Sequence, residues 1–154
     1  MTATPEKTII FEKDQHITAR GRYYAGRVGS AFFTALRDEG KIYGVKCRTC
    51  DKVYWPPRST CGRCFSQLNL DDLVEIGPEG TVETFTLVEY AEPCHPRPAP
   101  FIYAVVKLDG ADSGLAHFLG EVEFKDVREG LRVRAVFAEN RRADILDIQY
   151  FKPL

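Results

Sequence analysis

Two Cys-x-x-Cys knuckles, Cys47-Arg48-Thr49-Cys50 and Cys61-Gly62-Arg63-Cys64, stand ten residues apart in this chain of 154. Two residues between cysteines let both sulfurs of a knuckle turn toward one point. The intervening loop then lets the second knuckle close the far side of a tetrahedron. The pair is a specific metal signature, which one Cys-x-x-Cys is not. Two disulfides are the competing reading, and a fifth cysteine together with the absence of a secretory segment argues against an oxidising compartment.

Iron in the same four-thiolate cage would make an electron carrier, so the spacing leaves the metal open. Arg48, Lys52, Arg58 and Arg63 surround the knuckles and would offset the net negative charge of four thiolates on a divalent ion. That suits closed-shell structural zinc at least as well as redox iron. No spare ligand stands nearby, which makes catalytic zinc the least favoured reading.

An apolar content of 44% allows one ordinary core, or a small barrel beside a metal-stapled module too small to stand alone. We expect two compact pieces. A net charge of -1 and a pI near 6.3 give no general attraction to nucleic acid or anionic membrane. No run approaches a membrane span and residues 1–7 lack a signal-peptide core, so the expected location is cytoplasmic.

Residues 1–40 read as an irregular arm and one short helix. The arm carries Phe11, Tyr23 and Tyr24, aromatics of the kind that interfaces favour at their centres. Ser30 is a good N-cap, Ala31 to Glu39 puts Phe32, Phe33 and Leu36 on one face, and Gly40 supplies the stop. Two adjacent phenylalanines span more arc than a small ribbon covers, which makes Phe32 and Phe33 further candidates for a partner surface. Residues 41–75 form the ribbon: Ile42–Lys46 leads into the first knuckle and Val53–Trp55 leaves it, with Trp55 expected as a lid over the metal module.

Residues 76–154 change texture to β-branched and aromatic runs separated by turns. The runs are Gly80–Tyr90, Phe101–Leu108, Leu115–Leu119 continuing toward Val122, Leu131–Phe137 and Ile145–Phe151. Five strands without a long helix predict a small closed barrel, and an OB-fold matches the count better than a sandwich does. The loop Glu92–Pro100 holds four prolines. Cys94 beside His95 lacks an orienting acid at any recognisable spacing, so the loop reads as facing solvent or a partner rather than as a nucleophile site. His117 lies in a strand pattern and reads as structural.

A ribbon entered through Tyr43-Gly-Val-Lys-Cys47 and left through Tyr54-Trp-Pro-Pro-Arg58, then joined to a barrel beginning Gly80-Thr-Val-Glu-Thr-Phe-Thr86, resembles the rubredoxin-like zinc-ribbon plus OB-fold family of thiolase-associated proteins. The likeness covers nearly the whole chain, and Cys47, Cys50, Cys61 and Cys64 match the family's four metal cysteines. The resemblance implies structural zinc and an accessory subunit, with the acyl-CoA chemistry belonging to a thiolase or thiolase-like partner. It implies acyl-CoA at or near the shared interface, with Arg48, Arg58 and Arg63 as candidates for the CoA phosphates. Aromatic-compound degradation is the preferred setting. The rival reading is a nucleic-acid-binding module, since ribbons and OB barrels both occur there; the carboxylates of the barrel half weigh against it.

Overall fold

The computed structural model describes residues 21–93 and 95–154. The fold is mainly β, with one helix, a ribbon sheet and a closed five-stranded barrel. Helix α1 spans Gly26–Asp38 and buries Val28, Phe32, Ala35 and Leu36, a stripe at helical spacing. It therefore begins a turn earlier than Ser30, which lies inside it. The extra turn forms because Val28 packs into the cluster around the metal cysteines, and Ala25 sits at the cap with no side-chain hydrogen bond. At the other end Glu39 N–H donates to Ala35 O at 2.9 Å. Gly40 follows at φ 65°, the left-handed stop that its lack of Cβ permits.

Strands β1 (Ile42–Cys47), β2 (Lys52–Tyr54) and β3 (Leu73–Ile76) form the ribbon sheet in the order β2-β1-β3. β1 pairs antiparallel with both neighbours, with Val45 opposite Tyr54 on one side and Leu73 on the other. β3 carries no alternation strong enough to be read from sequence; four residues gain strand form because β1 offers a free edge.

Strands β4 (Glu79–Val88), β5 (Phe101–Leu108), β6 (Gly114–Leu119), β7 (Arg132–Phe137) and β8 (Ile148–Pro153) close into a barrel ordered β4-β5-β6-β8-β7. β4 pairs with β5 and β7 and seals the ring, while β6 meets β8 in parallel at Leu119 and Phe151. The expected last strand starts three residues late, because Ile145–Asp147 is a 3-10 turn. The buried Asp147 carboxylate accepts N–H bonds from Arg142 at 2.7 Å and Ala143 at 2.8 Å, which hold that turn out of the ladder.

One hydrophobic cluster runs through helix, ribbon and barrel, joining Phe32, Leu36, Ile42, Trp55, Ile76, Val106 and Phe151. Trp55 is fully buried in it, edge-on to Phe151 at 6.3 Å. The expectation of a lid over the metal is therefore corrected. The indole belongs to the junction with the barrel, because the turn after β5 clamps the ribbon strand beside it. Asp112 accepts from Val53 N–H at 2.9 Å, and Ser113 Oγ accepts from Trp55 N–H at 2.7 Å and donates to Trp55 O.

Candidate metal centre

The knuckle of Cys47 and Cys50 follows β1, and that of Cys61 and Cys64 closes the loop after β2. All four sulfurs lie within 4.8 Å of one another. Cys47 and Cys64 are 3.6 Å apart and Cys61 and Cys50 4.0 Å. A tetrahedron with Zn–S bonds of about 2.3 Å has sulfur edges of about 3.8 Å, so this donor set fits one zinc ion with little adjustment. The four thiols are unbridged. Cys47, Cys50, Cys61 and Cys64 would hold the ion, and four thiolates leave no position open for a substrate.

Donors around the sulfurs favour the thiolate form. The Tyr54 hydroxyl lies 3.4 Å from Cys61 Sγ, and Arg63 N–H donates to the same sulfur at 3.4 Å. The hydrogen bond from Tyr54 is the main cause that draws the Cys61 thiol down to about 5, and it pushes the tyrosine itself up to about 12. Ser66 Oγ sits 2.6 Å from Cys64 Sγ and lowers that thiol too. The Cys50 thiol is instead pushed up to about 12, chiefly by the Cys64 sulfur beside it. Tyr54 and Ser66 orient the cage from outside, as partners of metal ligands do. Sequence reasoning passed over that role; a hydroxyl two residues after Cys64 was the available signal.

The three arginines have different surroundings. Arg48 Nε pairs with Asp72 at 2.9 Å, and a second nitrogen donates to Asp71 O at 3.2 Å. The Arg58 guanidinium stacks over the Tyr54 ring at 4.7 Å, so it braces the residue that bonds Cys61. The Arg63 side chain is exposed at the knuckle tip. Next to it Phe65 is 77% exposed at φ 60°.

Of the aromatic candidates, Tyr23 and Tyr24 are 95% and 88% exposed, while Phe11 lies outside the described residues. Phe32 is corrected: at 1% exposed it belongs to the core, because its position on α1 faces Leu36 and Ile42 rather than solvent. Phe33 is half-buried and packs against the same cluster, 5.1 Å from Phe32. Cys94 also lies outside the described residues. His117 is buried with both ring nitrogens engaged: Nδ1 accepts from Phe118 N–H at 2.8 Å and Nε2 faces Ile145 O at 3.3 Å. Burial holds its pKa below the ordinary value.

Fold and site together define a rubredoxin-like zinc ribbon packed on an OB-fold barrel. The ribbon domain of ChsH2 matches residues 34–71, and the C-terminal OB-fold domain of ChsH2 matches residues 73–138. The chain belongs to this ChsH2 family of zinc-ribbon and OB-fold proteins. A DUF35 domain-containing scaffold protein of Methanocaldococcus jannaschii is 28% identical over 105 residues, 66% of this chain and 71% of the relative. Among solved structures, an Ltp2-ChsH2(DUF35) aldolase aligns at TM-score 0.61 and 22% identity over 86% of this chain and 98% of its own, a likeness of fold. A DUF35-family protein of unknown function from Sulfolobus solfataricus aligns at TM-score 0.58 and 26% identity, over 72% of this chain and 78% of its own.

Proposed function

We propose that this chain is a non-catalytic scaffold subunit of a thiolase-type acyl-CoA enzyme complex in the cytoplasm. The observation that carries the reading is the consecutive match of ribbon and barrel to the two ChsH2 domains, supported by a relative described as a scaffold protein. Zinc fits the same role: a closed four-thiolate site stiffens a surface and performs no chemistry. The finer proposal is the small subunit of a thiolase of aromatic catabolism, such as benzylsuccinyl-CoA thiolase.

Tyr23 and Tyr24, both exposed, supply the kind of side chain that anchors a protein interface. Arg58 and Arg63 are the arginines best disposed to reach CoA phosphates, since Arg48 is already committed to Asp72. A nucleic-acid role is less well supported. Basic residues on the barrel strands pair with neighbouring carboxylates: Arg132 with Asp109, Arg134 with Glu79, Lys152 with Glu121. These pairs neutralise strand cations that a phosphate backbone would seek.

The test is turnover. The tagged chain is purified from its own cells, and thiolysis of acyl-CoA is measured on the assembly and on the isolated chain. Activity in the assembly and none in the isolated chain is the expected result. Turnover by the isolated chain would contradict the scaffold reading.

A further inference from the structure

A pocket of about 390 Å³ opens beside β6, between the proline-rich loop and the turn that precedes β8. It forms because β6 and β8 are in register only at Leu119 and Phe151, so the rest of β6 is not laddered to that strand, although the His117 ring packs edge-on against Phe151 at 5.8 Å. One wall is aromatic. Tyr103 of β5 lies opposite Phe118 of β6 in the ladder, with ring centroids 5.3 Å apart, and Phe101 is edge-on to Phe118 at 5.2 Å. From the loop, His95 approaches Phe101 at 6.1 Å. Leu115, Ile145 and Leu146 supply aliphatic surface.

The walls are built rather than left over. Asp147 fixes the turn by accepting three backbone N–H groups, from Arg142, Ala143 and Asp144, and Asp144 accepts from Leu146 N–H at 2.9 Å. His117 ties β6 to the same turn through Ile145 O. On the loop, His95 Nδ1 accepts from Glu92 N–H at 2.8 Å. Arg97 covers Phe118 with its guanidinium 4.0 Å from the ring centroid, bonds Gln149 O, and lines the neighbouring groove instead of this pocket.

The chemistry of the lining narrows the ligand. Among the described residues no Lys, Arg, Asp or Glu lines the pocket. The lone pair of His95 Nδ1 and both nitrogens of His117 are spent within the fold. Against a charge the lining offers at most the Tyr103 hydroxyl and the His95 Nε2–H, neutral donors that do not replace its hydration. Rings already packed edge to face offer further edges and faces to a planar ring, a geometry that a saturated ring of equal size cannot use.

We propose that this pocket binds an uncharged aromatic ring carried by a small molecule. The proposal does not depend on the partner enzyme argued above. It is tested on the full zinc-loaded chain by following the methyl resonances of Leu115, Ile145 and Leu146 during titration with benzyl alcohol and, separately, with cyclohexylmethanol. Benzyl alcohol is expected to shift these methyls with a Kd about five-fold lower than that of cyclohexylmethanol, the preference that aromatic packing supplies. Leu146→Glu, at an exposed position on the rim, is expected to abolish the shifts, and Phe124→Ser in the neighbouring groove to leave them unchanged. Equal affinity for the two alcohols overturns the aromatic assignment. Shifts that survive Leu146→Glu, or no shifts from either alcohol, overturn the site.

Discussion

Replacing Trp55 separates two accounts of how ribbon and barrel are joined. The indole is wholly buried, touches the shared core and lies edge-on to Phe151. Truncating such a side chain to alanine costs about 3–5 kcal/mol in lost burial and cavity formation. With a urea dependence of about 2 kcal/mol per molar, the unfolding midpoint of Trp55→Ala should fall by about 2 M. Trp55→Phe should cost far less. It keeps a six-membered ring, and among the atoms it deletes is Nε1, buried without an acceptor among the described residues. Removing an unpaired donor recovers about 1–3 kcal/mol against the lost area. Urea denaturation of zinc-loaded protein gives the midpoints, and metal analysis of the same samples gives the zinc content. Both variants should retain zinc, since the four sulfurs and their donors do not include the indole. If Trp55→Ala lost zinc while its midpoint stayed in place, the tryptophan would be a lid over the metal and the junction argument would be refuted.

Asp147→Ala removes a buried carboxylate that serves three backbone donors, and should lower stability by about 2–4 kcal/mol in urea denaturation; an unchanged midpoint would mean the turn holds its shape without it. Gly80→Ala would place a Cβ 2.5 Å from Lys107 O and 2.9 Å from Leu108 Cα, so β4 and β5 must separate, at about 1–3 kcal/mol by the same assay. His117 gives a pH dependence. Burial is the main cause that holds its folded pKa below 6.5, with the charge of Arg97 lowering it further and the Ile145 carbonyl raising it. The folded state then binds its proton less readily than the unfolded chain does. Its contribution is complete above the unfolded value and is lost as pH falls from there through the depressed folded value. The stability advantage of wild type over His117→Gln should therefore shrink between about pH 7 and pH 5, with the zinc contribution common to both; a constant difference would contradict a neutral buried imidazole.

The metal cage was legible because spacing alone constrains where four sulfurs can point, and the barrel because each long strand carries its own β-branched and aromatic run. What escaped the sequence depends on partners distant along the chain. Trp55 precedes Pro56-Pro57 in what reads as ribbon, yet its place in the core is set by Ser113, 58 residues away. Phe32 and Phe33 are neighbours of identical type, and only the helix phase fixed by Val28 and Leu36 decides that the first is buried. The short strand β3 exists because β1 has an edge to pair, a fact of topology that Leu-Val-Glu-Ile does not announce. Ile145–Asp147 looked like strand by composition until the Asp147 carboxylate gathered its backbone donors. The pocket beside β6 was invisible for the same reason, as its walls come from a loop, three strands and a turn.

Native mass spectrometry of the tagged chain purified from its own cells, with metal analysis on the same sample, tests the scaffold reading most directly. One zinc per chain and a thiolase-like enzyme in the same intact assembly is the predicted result. A zinc-loaded chain that runs alone at physiological concentration, or an iron-loaded chain with visible absorption, would contradict it.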